Sequence, residues 1–184
     1  MQQKQGTKTK HDMKYYYTME YLPARYNGTS EQVANHKAVW NFKDGNASAS
    51  IINELAADVR KIAGYDKSSY VICFVPASTS WKTTRRYADV ARQLQQMTGV
   101  TATLSAITKP QDGEAGHIAG KTSDPASEFS FSSEYFRGKN VILVDDVVTR
   151  GRTLSSTGDR LVNKGAKSVT GLVVAKTVNP DWAA

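Results

Sequence analysis

A chain of 184 residues, 40% of them hydrophobic and with a net charge of +7, can build one domain around a buried core. No apolar run reaches the length of a membrane span, the basic N-terminus has no apolar signal stretch, and a lone cysteine excludes an internal disulfide. A cytoplasmic protein that does not engage membranes is the expectation.

In chain order, residues 1–14 read as a flexible basic tail and 15–184 as a single domain. Tyr15 to Tyr21 is aromatic and β-prone, suiting either an edge strand or part of a small hood. Helical spacing covers 31–43 and 47–63, the second capped by Asn46 and ended by Gly64. A strand at 69–75 carries Cys73 among apolar neighbours, which marks it as a core residue rather than a nucleophile. The run Pro76-Ala77-Ser78-Thr79-Ser80 then turns the chain, and Tyr87, Val90, Ala91, Leu94 and Met97 predict a helix over 84–98. Strands at 100–107 and 140–146, a helix at 153–164 and a strand at 168–177 complete the alternation. That order predicts an α/β fold, a parallel sheet with helices on both faces. The polar stretch between Thr108 and Phe129 is too long for a plain connection and reads as a lid or a disordered segment.

The basic residues outside the tail are dispersed, which argues against nucleic acid as the partner and for a small anionic ligand. The segment 141–153 shows where such a ligand belongs. Four apolar residues, Val141 to Val144, run into Asp145 and Asp146, then into Val148-Thr149-Arg150-Gly151-Arg152-Thr153, then into an amphipathic helix. A parallel strand ending this way delivers two acids and a phosphate-sized cradle to the edge where open α/β sheets bind ligands. Gly151 lets the backbone approach a phosphate, the threonine hydroxyls donate, and the arginines supply charge. The acids are placed to accept from vicinal hydroxyls or to reach a Mg²⁺ shared with the ligand.

Residues 141–153 resemble the 5-phosphoribosyl-1-pyrophosphate (PRPP) signature of type I phosphoribosyltransferases. That resemblance implies a mostly parallel sheet flanked by helices, with a small hood and a flexible loop. It makes Asp145 and Asp146 the ribose-binding acids and the catalytic pair, with Mg²⁺ beside them, and residues 148–153 the 5-phosphate loop. The ligand would be PRPP or a nucleotide containing ribose 5-phosphate, and a homodimer is an open expectation. Val75-Pro76 through Arg85-Arg86-Tyr87-Ala88-Asp89 looks like the Pro-x-x-x-x-basic-x-x-x-Arg-Gly-Phe-Asn segment of the ComF-type branch, with Arg86 replacing its Gly and Ala88 its Asn. The type I resemblance further implies a pyrophosphate loop with Ala77, Ser78, Lys82 and Arg85, and a flexible loop with Lys109, His117 and Lys121 as the candidates to meet pyrophosphate. Thr149 stands where 6-oxopurine salvage enzymes usually carry an Asp, which turns the expectation away from hypoxanthine and guanine. The implied activity is phosphoribosyl transfer to a nitrogen acceptor with release of pyrophosphate. Two alternatives are a PRPP- or nucleotide-sensing module without turnover and a competence-type nucleic-acid-associated factor.

Overall fold

The computed structural model describes residues 4–5, 13–110 and 124–179. Its strands are β1 (Lys4–Gln5), β2 (Tyr15–Tyr21), β3 (Tyr70–Phe74), β4 (Thr101–Thr103), β5 (Ile107–Thr108), β6 (Ser130–Phe131), β7 (Asn140–Val148) and β8 (Ser168–Thr177). Its α-helices are α1 (Ser30–Lys43), α2 (Ala49–Ala63), α3 (Ser80–Thr98) and α4 (Arg152–Asn163). One sheet runs in the order β1-β2-β8-β7-β3-β4, parallel throughout except for the antiparallel β1–β2 pair. The expected α/β architecture is what the chain adopts.

Residues 71–74 and 141–144 are buried without interruption, because helices cover both faces of the sheet. Ile72, Phe74, Ile142, Val144, Leu172 and Val174 pack with Phe42, Ile52, Leu55, Tyr87 and Leu94 of α1 to α3. Val71, Cys73, Val141, Leu143 and Val173 pack with Leu154 and Leu161 of α4 and with Phe136. Alternate residues of one strand thus build two cores. Burial pushes the Cys73 thiol up to about 12, so it stays a protonated core group.

Several boundaries differ from the sequence expectation. The cap of α2 is Ser48, whose hydroxyl accepts from Ile51 N–H, and not Asn46, which belongs to the preceding turn. Helix α3 starts at Ser80 rather than residue 84, because Thr79 caps it by accepting from Lys82 N–H. Its first turn carries no apolar periodicity, so the pattern becomes visible only at Tyr87. The strand expected at 100–107 is two pieces, interrupted at residues 104–106, and β5 leaves the main sheet to pair with β6. Strand β7 extends two residues past Asp146, to Val148, by pairing with β8. Tyr15–Tyr21 is a sheet strand, parallel to β8, and not a hood element. Of the stretch read as a tail, Lys4–Gln5 pairs with β2, and the remainder through residue 12 lies outside the described residues.

The β5–β6 pair holds the two ends of the polar stretch side by side. Beyond it, Asp124 ties the returning chain to α4, accepting from the Ser156 hydroxyl and from Arg160 Nη2 at 2.6 Å and Nε at 3.1 Å. The Ser156 hydroxyl and the Arg160 guanidinium hold the Asp124 carboxyl down at about 2. A folded-state value below the unfolded one, roughly 3.9, means that the contribution is present above pH 4 and disappears as pH falls through 2. Asp124→Asn should therefore cost about 1 kcal/mol or less at pH 7, since the pair is partly solvated, and much less at pH 2. Urea unfolding at the two pH values checks this.

Candidate active site

Strand β7 and helix α4 meet at an open cleft of about 460 Å³. Its lining comprises Asp145 to Leu154 together with Val75, Pro76, Arg86 and Pro125. Both acids and all six residues of the expected phosphate loop, Val148 to Thr153, are thus brought to one cavity. The geometry there follows from Gly151, whose φ of +70° is a left-handed conformation that favours glycine. Gly151 is also the N-cap of α4, and no side chain among the described residues caps that end. The turn directs the start of α4, with its positive dipole end, toward the loop. The Thr149 hydroxyl lies 2.8 Å from that of Thr177, which ties the loop to the end of β8. Below the loop, the Thr157 hydroxyl donates to the Thr153 carbonyl at 2.7 Å.

The two acids are held by the backbone and by each other. Asp146 N–H donates to Asp145 Oδ1 at 2.8 Å, and Val147 N–H donates to Asp146 Oδ1 at 2.6 Å. Burial, reinforced by the charge of Asp146, holds the Asp145 carboxyl well above the usual carboxylate range. A ligand that brings positive charge next to Asp145 would lower it again. Asp146 forms an ion pair with Arg86, whose side chain is 15% exposed, and its own is 12% exposed. The Tyr87 hydroxyl is fully buried and has no hydrogen-bond partner among the described residues. Burial and then the nearby charges of Asp146 and Asp145 raise it well above its ordinary value.

The residues expected to meet pyrophosphate are placed differently. Ala77, Ser78, Lys82 and Arg85 are not part of the cleft lining. Ala77 is buried, and its N–H donates to Thr83 Oγ1 at 2.9 Å. Thr83 Oγ1 in turn donates to the Thr79 carbonyl at 3.0 Å, so one hydroxyl braces the whole turn. Ser78 and Lys82 are exposed. Arg85 is exposed too, donating from Nε to the Asp44 carbonyl at 2.9 Å, with its guanidinium 5.2 Å from the Trp81 ring centre. Arg86, not assigned to the site from sequence, is the α3 residue that lines the cleft. In sequence it stands in the basic run with Lys82 and Arg85 near the start of α3, and it replaces a glycine of the ComF-type segment.

Of the expected flexible-loop residues, Lys109 pairs with Glu128 at 2.9 Å, and its carbonyl accepts from the Ser80 hydroxyl at 3.2 Å. His117 and Lys121 lie outside the described residues. Among the described residues no helix is long and apolar enough to cross a membrane.

The structure is similar to an allosteric regulatory enzyme of purine biosynthesis, 18% identical, with a TM-score of 0.48 and 74% of this chain covered. This chain spans only 30% of that enzyme's length. It is also similar to a hypoxanthine phosphoribosyltransferase from Staphylococcus aureus, 15% identical, with 78% of this chain and 76% of that one covered and a TM-score of 0.45. A third similar structure is a hypothetical protein from Neisseria gonorrhoeae with bound ppGpp, 17% identical, covering 88% and 73% with a TM-score of 0.43. No curated relative matches the chain. The sequence model of the phosphoribosyl transferase domain matches residues 39–179, a span that contains β3, β7, the acid pair and the loop before α4. The chain belongs to the phosphoribosyltransferase domain family.

Proposed function

We propose that this protein binds PRPP in the Asp145–Thr153 cleft and transfers its phosphoribosyl group to a nitrogen acceptor, releasing pyrophosphate. The observation that carries this reading is the convergence of two carboxylates and the uncapped start of α4 on one cavity. A phosphate needs donors and positive potential at one end, and ribose hydroxyls need acceptors at the other. Residues 149–153 would grip the 5-phosphate, while Asp145 would accept from a ribose hydroxyl and favour positive charge developing on the ring. The work of the protein is to orient and to stabilise charge rather than to form a covalent intermediate.

Magnesium was expected at Asp145 and Asp146. Among the described residues, however, no group of three or more His, Cys, Asp and Glu side chains is placed to hold a metal ion. Asp145 Oδ2 is the only carboxylate oxygen of the pair without a hydrogen bond to a described residue. These described side chains do not build a metal site on their own.

Within the family we place the chain nearest the ComF-type branch, on the Val75-Pro76 to Asp89 segment. One observation favours the second reading, a PRPP- or nucleotide-sensing module without turnover. The Ala77 N–H, expected to serve pyrophosphate, is committed to Thr83. Thermal unfolding with PRPP, ribose 5-phosphate, pyrophosphate and mononucleotides tests binding, because a ligand selective for the folded state raises stability by mass action. PRPP at about 100 times its Kd should add roughly 2.7 kcal/mol, and no shift with any ribose 5-phosphate compound would count against both readings. Pyrophosphate release with ammonia or an amine acceptor separates the enzyme from the sensor.

A further inference from the structure

Arg86 is the feature of the cleft that its family resemblance does not account for. It sits on α3, two turns into the helix, and reaches the acid pair from the neighbouring layer. Its Nη1 donates to Asp146 Oδ2 while its Nε faces the Lys43 carbonyl at 3.4 Å and its guanidinium lies 5.6 Å from the Tyr87 ring centre. The side chain is therefore held from three directions. With Val147 N–H on the other oxygen, both oxygens of Asp146 are engaged.

A divalent ion next to paired acids would do two things: neutralise their repulsion and add positive charge for a phosphorylated ligand. Arg86 does both without a metal. Among the described residues the ionisable side chains lining the cleft are Arg86, Arg150 and Arg152 against Asp145 and Asp146, so the cations among them outnumber the acids. A guanidinium also stays protonated across the physiological range and gives up hydration more readily than an ammonium, which suits a position this enclosed.

We propose that Arg86 is the resident cation of the acid pair: it occupies, at Asp146, the place of a divalent ion, and makes capture of PRPP in this cleft independent of magnesium. This rests on the proposed function and adds a positioning residue to it. Asp146 becomes the anchor of Arg86, and Asp145, with its open Oδ2, becomes the acceptor for the ribose. The local chain path supports that division. The turn after α1 presents the Lys43 and Asp44 carbonyls to Arg86 and Arg85 in succession, so α3 is registered against the acid pair by main-chain groups.

Calorimetric titration of PRPP into the full chain, once in chelator and once in millimolar magnesium, decides the matter. The wild-type dissociation constant should differ by less than about threefold between the two buffers, whereas Arg86→Met should bind at least about thirtyfold more weakly in chelator and recover to within about fivefold on adding magnesium. Arg86→Lys, which keeps the charge but not the fork, should fall between them in chelator. A wild-type protein that binds PRPP only with magnesium overturns the inference and leaves the proposed function standing. So does an Arg86→Met variant that binds as tightly as wild type in chelator. Absence of binding by wild type in both buffers overturns the proposed function and the inference together. The wild-type comparison needs no variant, so the question stays decidable should Arg86→Met unfold.

Discussion

Asp145→Asn combined with Asp146→Asn is expected to weaken PRPP binding by at least about 100-fold, given that a hydrogen bond to a charged group contributes roughly 1.5–3 kcal/mol. Asparagine keeps the shape of each side chain and still presents one oxygen, so Asp146 N–H and Val147 N–H can retain their acceptors. The far-UV circular dichroism should be unchanged. What is removed is the negative charge that would hold ribose hydroxyls, together with the counter-charge of Arg86. The single variants separate these roles. Asp145→Asn should produce most of the affinity loss with little change in melting temperature. Asp146→Asn should produce a larger stability loss, since it leaves a largely enclosed guanidinium without its anion. Calorimetry and thermal unfolding on the three variants provide the check. Unchanged affinity in the double variant would refute the site assignment.

Gly45→Ala should be strongly destabilising although Gly45 lies outside the cleft. Gly45 follows α1 with a φ of +84°, where any side chain is strained. A Cβ built there would sit 2.3 Å from the Arg85 carbonyl oxygen, a main-chain atom in the middle of α3 that cannot swing aside. Strain and overpacking together should cost about 2–4 kcal/mol, lowering the melting temperature by roughly 4–16 °C in a domain of this size. The same displacement would pull the Lys43 and Asp44 carbonyls away from Arg86 and Arg85, so PRPP affinity should fall along with stability. A variant with wild-type stability would show that the turn can re-route without moving α3.

The legible parts of this protein were the local ones. Strand, acid pair, loop and helix follow one another within residues 141–163, and each boundary there has its own chemical marker. Gly151 at the turn and the unbroken apolar residues of β3 and β7 could be read without knowing what surrounded them. Arg86 could not. In sequence it stands in a run with Lys82 and Arg85, and such a run normally faces solvent. Only the approach of α3 to the carboxyl end of β7 makes one of these residues a cleft residue and leaves the others exposed. The same limit explains Ala77, whose N–H reads as available until Thr83, six positions on, is seen to turn back toward it. It also explains β2, whose aromatic alternation suits an edge or a hood equally well until its partner strand is known.

The pairing of β2 with β8 has a consequence for how the polypeptide is made. Tyr15 lies opposite Gly171 and Tyr21 opposite Thr177, so β2 cannot meet its parallel partner until the chain through β8 is available. Contacts that close so long a span are slow to form, and an aromatic strand waiting for its partner is an aggregation hazard meanwhile. The speed at which β8 follows β2 in synthesis and the supply of chaperones should therefore affect the yield of soluble protein.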